Sequence, residues 1–302
     1  MNVFFAVDGS TSSLAALKQV GPLLSAQTDR TALYFSPPDV VIRHATEGDV
    51  MKLRAQQAIT DAVLNEARAQ LPAELATTST PIVAQHTPRE GIPIEAEKWK
   101  ADVIVVGARG LTALDRLLLG SVSKAVVHQS ARSVFVARPA AENRKPGPMR
   151  VLYAYDGSAG STSALRLMQR FNLPADAQVT AVTVIEPMSV TEMPDWIVKR
   201  ARDADTEAMA QGWEREHEAE RRQTTDQLKE FMAKQNPPFN KAEVLVLEGN
   251  PGEEILKVID ARGIDLIVLG SIGKGMIERV LIGSTSDKIL NHAACSVLVS
   301  RG

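Results

Sequence analysis

Residues 103–110 read Val-Ile-Val-Val-Gly-Ala-Arg-Gly, and residues 266–273 read Leu-Ile-Val-Leu-Gly-Ser-Ile-Gly. These two apolar runs, each ending in a glycine-containing loop, lie 163 positions apart. An earlier pair, Val-Phe-Phe-Ala-Val-Asp-Gly-Ser at 3–10 and Val-Leu-Tyr-Ala-Tyr-Asp-Gly-Ser at 151–158, lies 148 positions apart. The second half therefore carries about fifteen additional residues between these landmarks. A repeat of this kind indicates two copies of one structural unit.

The two copies divide the chain near its middle. A length of 302 residues suits two domains, each large enough to bury a core of its own. Residues 139–148 contain three prolines and a glycine, which disfavour regular structure and give a short, stiff connection. We expect a first domain over 1–138, a linker over 139–148 and a second domain over 149–302.

Short β-branched runs alternate with helical patterns in each copy. Strands that are apolar at every position, such as 103–106, are typical of parallel strands covered on both faces and joined by right-handed crossovers. The sequence thus predicts an α/β protein with two doubly wound, five-stranded parallel sheets in tandem. The first copy has predicted strands at 3–7, 31–35, 80–85, 103–106 and 134–137, with helices at 12–24, 50–70, 92–100 and 122–129. The second has predicted strands at 151–155, 179–185, 243–247, 266–269 and 297–300.

The composition excludes several classes of function. Thirty-four basic residues balance thirty-six acidic ones, for a net charge of -2, so we expect no general affinity for nucleic acid. No apolar run approaches the roughly 18 residues that span a bilayer, and the start reads as a strand and not as a signal peptide, so we expect a cytoplasmic protein without a membrane partner. The single cysteine, Cys295, excludes an internal disulfide, and its apolar surroundings favour a buried hydrophobe over a reactive thiol.

A spaced glycine pattern follows the fourth predicted strand of each copy, at the edge where such sheets bind ligands. Glycine lets the backbone approach an anion and adopt positive φ, and the N–H groups of the helix that follows add partial positive charge. The pattern therefore suits a phosphate, although the glycines could instead only turn the chain and the serines only cap the helix. Its members are Gly107, Gly110, Gly120, Ser121, Val122 and Ser123 in the first copy, and Gly270, Gly273, Gly283, Ser284, Thr285 and Ser286 in the second.

Acidic residues end the first strand of each copy. Asp8 and Asp156 could accept hydrogen bonds from ribose hydroxyls, or could favour the start of the next helix; both interpretations stay open. Asp102 and Asp265 precede the fourth strands, at the opposite edge of the sheet, and are expected to be turn residues. Two arginines in the glycine pattern, Arg116 and Arg279, are candidates for phosphate contacts or surface ion pairs.

The chain resembles a tandem universal stress protein over 3–138 and 151–301. The most specific shared element is the nucleotide pattern Gly-x2-Gly-x9-Gly-Ser/Thr, complete in both copies. The resemblance implies an adenine nucleotide alpha hydrolase-like fold. In ATP-binding members the strand-one acid and the pattern residues hold ribose and phosphates, which implies ATP, with Mg²⁺, as the cofactor at Asp8, Asp156 and the pattern residues. Members without the pattern do not bind ATP.

The resemblance also implies a mode of assembly, because members of the family often dimerise through the last strand. Fusion of two copies would make that pairing internal, between 134–136 and 297–299, and a homodimer of the whole chain is a further expected partner.

The second copy departs from the family in a long, charged helical pattern over 196–235. Its apolar stripe predicts a face that covers the sheet, and a lid or partner-binding arm is the alternative. His217 is expected at the surface. The stripe comprises Ile197, Ala201, Ala204, Ala208, Met209, Trp213, Leu228, Phe231 and Met232.

Three classes of function remain at this point. The sequence favours a nucleotide-binding regulatory module of the stress response over a nucleotide-independent scaffold and over a slow ATPase. It contains no Gly-x4-Gly-Lys-Ser/Thr loop and no His-Glu-x-x-His helix, so we assign no catalytic residue and no protein-bound metal.

Overall fold

The computed structural model describes residues 1–37, 47–84, 86–108, 119–139, 147–186, 204–273 and 282–302. All ten predicted strands are present, and their ends differ from the predicted ones by two residues at most. The first half contains β1 (Asn2–Ala6), α1 (Thr11–Val20), β2 (Arg30–Phe35), α2 (Glu47–Arg68), α3 (Ala73–Thr78), β3 (Thr80–Val83), α4 (Pro88–Lys98), β4 (Val103–Gly107), α5 (Ser121–Gln129) and β5 (Ser133–Ala137). The second half contains β6 (Arg150–Ala154), α6 (Ala159–Met168), β7 (Gln178–Ile185), α7 (Ala204–Ala233), β8 (Glu243–Glu248), α8 (Pro251–Arg262), β9 (Leu266–Gly270), α9 (Ser284–His292) and β10 (Ser296–Ser300).

The strands form one sheet in the order β3-β2-β1-β4-β5-β10-β9-β6-β7-β8. Within each half all neighbouring strands are parallel, and the order reverses between the first and the fourth strand of the half. The predicted tandem of doubly wound five-stranded units is therefore confirmed. The residue limits of the domains stay a prediction, since most of the predicted linker lies outside the described residues.

The two halves join through antiparallel pairing of their last strands. Val297 pairs with Val136, Leu298 with Phe135 and Val299 with Val134. The expected pairing of 134–136 with 297–299 is confirmed. Each five-stranded sheet thereby loses the edge that its last strand would expose, which removes a site of uncontrolled strand addition.

Alternation along the strands divides the core between the two faces of the sheet. Val3 and Phe5 belong to a cluster that also contains buried residues of α1, α2, α3, α6 and α7. Phe4, between them, belongs to a second cluster on the side of α4, α5, α8 and α9. Each large side chain buried in this way contributes about 1.5–3 kcal/mol relative to exposure.

Two arginines that follow the last strands cross the interface between the halves. The Arg138 guanidinium donates from Nη2 to the Leu290 carbonyl (2.6 Å), in the last turn of α9, and its backbone N–H donates to the Ser296 hydroxyl (3.0 Å). Arg301 makes the matching contact with the Val127 carbonyl of α5 (2.7 Å). A cation at a helix C-terminus is stabilised by the helix dipole. These contacts fix the ends of the two helices whose beginnings carry the glycine pattern.

The aspartates that precede β4 and β9 accept hydrogen bonds at the edge of the sheet opposite to the glycine pattern. Asp102 accepts from the backbone N–H of Asn2 (2.6 Å), and Asp265 accepts from that of Arg150 (2.8 Å). Arg170, in the second half, also donates to both oxygens of Asp102 (3.0 and 3.1 Å). Partial burial alone would raise the pKa of Asp102, but the hydrogen bonds from Arg170 and Asn2 outweigh it and hold that pKa below its usual value.

The long helix of the second half covers the sheet over the part that the structure describes. Leu228 and Met232 of α7 are buried in the core, and the Phe231 ring stacks on Tyr155 with centroids 4.8 Å apart. The covering face predicted for these three residues is thus correct. His217 is half-buried, and its Nε2 lies 3.1 Å from a carboxylate oxygen of Glu248. Residues 196–203 of the predicted pattern lie outside the described residues, as do the side chains of 204–214.

Three further observations bear on the sequence predictions. Cys295 is buried, and its desolvation raises the pKa of the thiol to about 12, so the prediction of an unreactive, buried residue holds. Helix α3 was not predicted, because its six residues carry no clear apolar period. Among the helices described, none combines the length and apolarity that crossing a bilayer requires.

Candidate functional site

The Asp-Gly-Ser turns after β1 and β6 have the same geometry. In each turn the aspartate Oδ1 accepts from the serine backbone N–H, at 2.9 Å for both Asp8 and Asp156. The intervening glycine is left-handed, with φ 75° at Gly9 and 77° at Gly157, a conformation that side chains disfavour. The serine hydroxyl then accepts from an N–H in the first turn of α1 (3.2 Å) or α6 (3.0 Å). One carboxylate oxygen therefore shapes the turn, while Oδ2 makes no hydrogen bond within the described residues.

The glycines that end β4 and β9 permit close packing against a helix. A Cβ added to Gly107 would lie 2.8 Å from the Ser12 carbonyl carbon, and one added to Gly270 would lie 2.7 Å from that of Gly160. The expectation of positive φ at the glycine pattern is wrong for every member that the structure describes, because the turns there need no left-handed residue. Those members are Gly107, Gly120, Gly270, Gly273 and Gly283.

Serine side chains tie the beginnings of α5 and α9 to the preceding strands. The Ser123 hydroxyl donates to the Gly107 carbonyl (2.6 Å), and the Ser286 hydroxyl donates to the Gly270 carbonyl (2.8 Å). These two hydroxyls therefore have a structural role in addition to any contact with a ligand. The bonds hold the first turn of each helix at the carboxyl end of its strand.

The same two helices begin without a side-chain cap. Their N-cap residues are Gly120 and Gly283, whereas α1, α6 and α8 begin with a side chain that accepts from the first turn. The backbone N–H groups of Ser284, Thr285 and Ser286 have no acceptor among the described residues. Free N–H groups and the positive end of the helix dipole make such a terminus an anion-binding site.

A cavity of about 600 Å³ lies at the carboxyl ends of β6, β7 and β9. It brings together every site residue predicted for the second half, although they come from two separate connections, β6–α6 and β9–α9. Cavities of this size suit small organic ligands. These lining residues are Asp156, Gly270, Gly273, Gly283, Ser284, Thr285 and Ser286.

The rest of the wall was not predicted from the sequence. Val182 and Ile185 of β7 and Ile255 of α8 give it an apolar part, while α7 contributes Glu220 and Thr224. Helix α7 thus covers the sheet and also borders the cavity. No local pattern could have assigned Glu220 and Thr224 to the site, since only the tertiary packing of α7 places them there.

The first half repeats the described part of this arrangement. Asp8 follows β1, Gly107 ends β4, and Gly120 is followed by the first turn of α5, which contains Ser121, Val122 and Ser123. Gly110, Arg116 and Arg279 lie outside the described residues. Within the ranges the structure describes, no group of three or more histidine, cysteine or acidic side chains could hold a metal ion.

Comparison with known proteins identifies the family. The model of the universal stress protein family matches residues 1–138 and 148–301. This chain belongs to the universal stress protein family. A universal stress protein of Mycolicibacterium smegmatis is 27% identical over 208 residues, an alignment that spans 69% of this chain and 64% of the relative.

A solved structure shows the same fold over the whole chain. The crystal structure of a universal stress protein from Archaeoglobus fulgidus covers 100% of this chain and 98% of its own, with 20% identity and a TM-score of 0.60. A universal stress protein solved in complex with cAMP is 29% identical, covers 46% of this chain and 97% of its own, and has a TM-score of 0.37.

Proposed function

We propose that this universal stress protein binds ATP in the second-half cavity and acts as a nucleotide-dependent regulatory module of the stress response. The observation that carries the proposal is the convergence of the seven predicted second-half residues on one cavity of about 600 Å³. Residues more than a hundred positions apart in the sequence, such as Asp156 and Gly283, meet there at the edge of the sheet where doubly wound folds bind ligands.

The phosphate end of the ligand fits the beginning of α9. The free N–H groups of Ser284, Thr285 and Ser286 and the hydroxyls of Ser284 and Thr285 supply donors for phosphate oxygens. Gly283 supports this placement, because a Cβ added there would approach no atom of the described residues closer than 3.6 Å. Protein packing does not require a glycine at this position, whereas a ligand pressed against the backbone would.

The ribose and base fit the remaining walls. The free Oδ2 of Asp156 can accept from a ribose hydroxyl, and it lies beside Gly273, where an added Cβ would be 3.0 Å from that oxygen. Val182, Ile185 and Ile255 form the apolar part of the wall, where the partly exposed Ile185 offers a surface for a planar base. The lining thus combines hydrogen-bond donors with apolar side chains, which supports a nucleoside phosphate as the ligand.

Charge indicates that the nucleotide enters as its Mg²⁺ complex. The acidic or basic side chains that line the described part of the cavity are the carboxylates Asp156, Glu186 and Glu220. A bare triphosphate would be repelled by these carboxylates, whereas Mg²⁺ held by phosphate oxygens and water lowers that repulsion and needs few protein ligands.

The test begins with protein purified without added nucleotide. We expect mass spectrometry of the denatured extract to find an adenine nucleotide, and titration of stripped protein with ATP and Mg²⁺ to show saturable heat. Absence of binding in the titration would favour the nucleotide-independent scaffold. Phosphate release followed over many turnovers separates the regulator, which we expect to release little, from an ATPase.

A further inference from the structure

The two halves differ at one position that matters for the ligand. Tyr34 in β2 and Val182 in β7 occupy equivalent places. Tyr34 pairs with Ala6, and its carbonyl accepts from the Val7 N–H (2.9 Å). Val182 pairs with Ala154, and its carbonyl accepts from the Tyr155 N–H (2.8 Å). Both side chains point to the same face of the sheet, since both belong to the cluster on the side of α4 and α8. Val182 lines the second-half cavity.

The tyrosine fills the corresponding place in the first half. Its side chain is buried, its ring centroid lies 5.5 Å from that of Phe4, and its hydroxyl reaches the first turn of α4 at Gly91. A Cβ on Gly91 would collide with the hydroxyl, so the tyrosine fits only because this residue is a glycine. The ring thus spans the gap between strand and helix.

The second half has neither member of this pair. Helices α4 and α8 both begin with proline, and Gly91 and Glu254 each donate their N–H to the N-cap carbonyl (2.8 and 3.0 Å), so Glu254 stands where the first half has Gly91. The next residues, Ile92 and Ile255, are both buried. Where the first half has a large ring against glycine, the second has the smaller Val182, and its Glu254 side chain forms an ion pair with Lys257 (2.7 Å). A cavity lies beside Val182 and Ile255.

The tyrosine is not explained by hydrogen bonding. Its hydroxyl is buried and has no hydrogen-bond partner among the described residues. The neighbouring Ser36 hydroxyl donates instead to the His86 carbonyl (2.6 Å). Burying an unsatisfied hydroxyl costs about 1–3 kcal/mol, so this position gains from the space that the ring fills and not from its polar group.

We propose that Tyr34 closes the first-half crevice where the base sits in the second half, so that each chain holds one ATP, bound by the second half. This inference rests on the proposed function and adds its stoichiometry and location. The chain is then an asymmetric pair, in which one unit binds nucleotide and the other, fixed to it through β5 and β10, serves as its permanent partner.

The test is calorimetric titration of the full chain with ATP and Mg²⁺. We expect one site per chain in the wild type. The double variant Val182→Tyr/Glu254→Gly copies the tyrosine–glycine pair into the second half and should weaken binding at least tenfold, whereas Glu254→Gly alone should bind like the wild type. Thermal melting verifies that each variant is folded.

The outcomes separate the two proposals. Two sites in the wild type, or unchanged affinity in the double variant, would overturn the closure by Tyr34 and leave ATP binding standing. No binding by the wild type would overturn ATP binding itself. If the double variant fails to fold, photolabelling of the wild type with 8-azido-ATP decides: labelled peptides should come from β7 and α8, and labelling of β2 or α4 would refute the inference.

Discussion

Two glycines of the nucleotide pattern should differ in their response to replacement by alanine. Gly270→Ala should destabilise the fold, whereas Gly283→Ala should leave its stability almost unchanged. In Gly270→Ala the new Cβ would lie 2.7 Å from the Gly160 carbonyl carbon and 2.9 Å from the Ser161 nitrogen. Both atoms belong to the backbone of α6 and cannot move away cheaply, and overpacking of this kind costs about 1–3 kcal/mol.

Gly283→Ala meets no such obstacle. Among the residues that the structure describes, the nearest atom to its Cβ would be the Ser271 carbonyl oxygen at 3.6 Å, and the backbone φ of -67° suits any residue. Alanine is a weaker N-cap than glycine by about 0.5–1 kcal/mol, and a stiffer unfolded chain returns a similar amount. We expect the free energy of unfolding to change by less than about 0.5 kcal/mol.

The assay combines thermal melting with ATP titration. A loss of 1–3 kcal/mol at roughly 2 °C per kcal/mol predicts that Gly270→Ala lowers Tm by about 2–6 °C, whereas Gly283→Ala should melt within about 1 °C of the wild type. Gly107→Ala is the matched first-half control and should behave like Gly270→Ala, because its Cβ would meet the Ser12 backbone at 2.8 Å.

Substitution at Gly283 should weaken ATP binding, although it leaves the stability of the fold almost unchanged. A side chain introduced at position 283 would project into the space assigned to the phosphates. Gly283→Val should therefore weaken ATP binding at least tenfold, which is about 1.4 kcal/mol. The reasoning is refuted if Gly283→Ala unfolds several degrees early, or if folded Gly283→Val binds ATP with wild-type affinity.

Other predictions follow from single contacts. Arg138→Met removes the buried charged donor of the Leu290 carbonyl and should cost roughly 2–3 kcal/mol in chemical denaturation, whereas Arg170→Met, which breaks a half-exposed ion pair, should cost about 1 kcal/mol or less; equal losses would show that the interface arginine has no special role. Tyr34→Phe deletes an unsatisfied buried hydroxyl and should leave Tm unchanged or raise it, and a drop of several degrees would contradict that view. Because burial raises the pKa of Cys295 to about 12, only about one thiol in ten thousand is ionised at pH 8; native protein should resist thiol reagents that modify unfolded protein within minutes, and fast labelling of the native chain would be contrary evidence. Chelation of Mg²⁺ by EDTA should weaken ATP binding, and equal affinity with and without the metal would argue against the charge balance assigned to the cavity.

The sequence was most informative where the same residue pattern occurs in both halves. Strands such as Val103–Gly107 and Leu266–Gly270 are apolar throughout, which is a direct consequence of helices on both faces. The duplication made each strand visible twice, whereas the pairing of β5 with β10 was predicted from the resemblance to a family whose members often dimerise through the last strand. The residues in the short loops that follow the strands could also be predicted, because such loops are built from glycine, serine and aspartate.

The sequence was least informative where the outcome depends on distance in space. It suggested positive φ at the glycine pattern, yet the left-handed glycines next to the two sites are Gly9 and Gly157, in turns where the aspartate accepts from the serine N–H. Close packing, which explains Gly107 and Gly270, depends on a helix more than ninety positions away. The unlike roles of Tyr34 and Val182 depend on what each side chain faces across the gap, and that is a tertiary property.

The most direct test of this account is a crystal structure of the full chain grown with saturating ATP and Mg²⁺. The account predicts one nucleotide, with phosphates on the N–H groups of Ser284, Thr285 and Ser286, ribose on Asp156 and base against Val182. An empty second-half cavity under those conditions, or a nucleotide bound elsewhere on the chain, would contradict it.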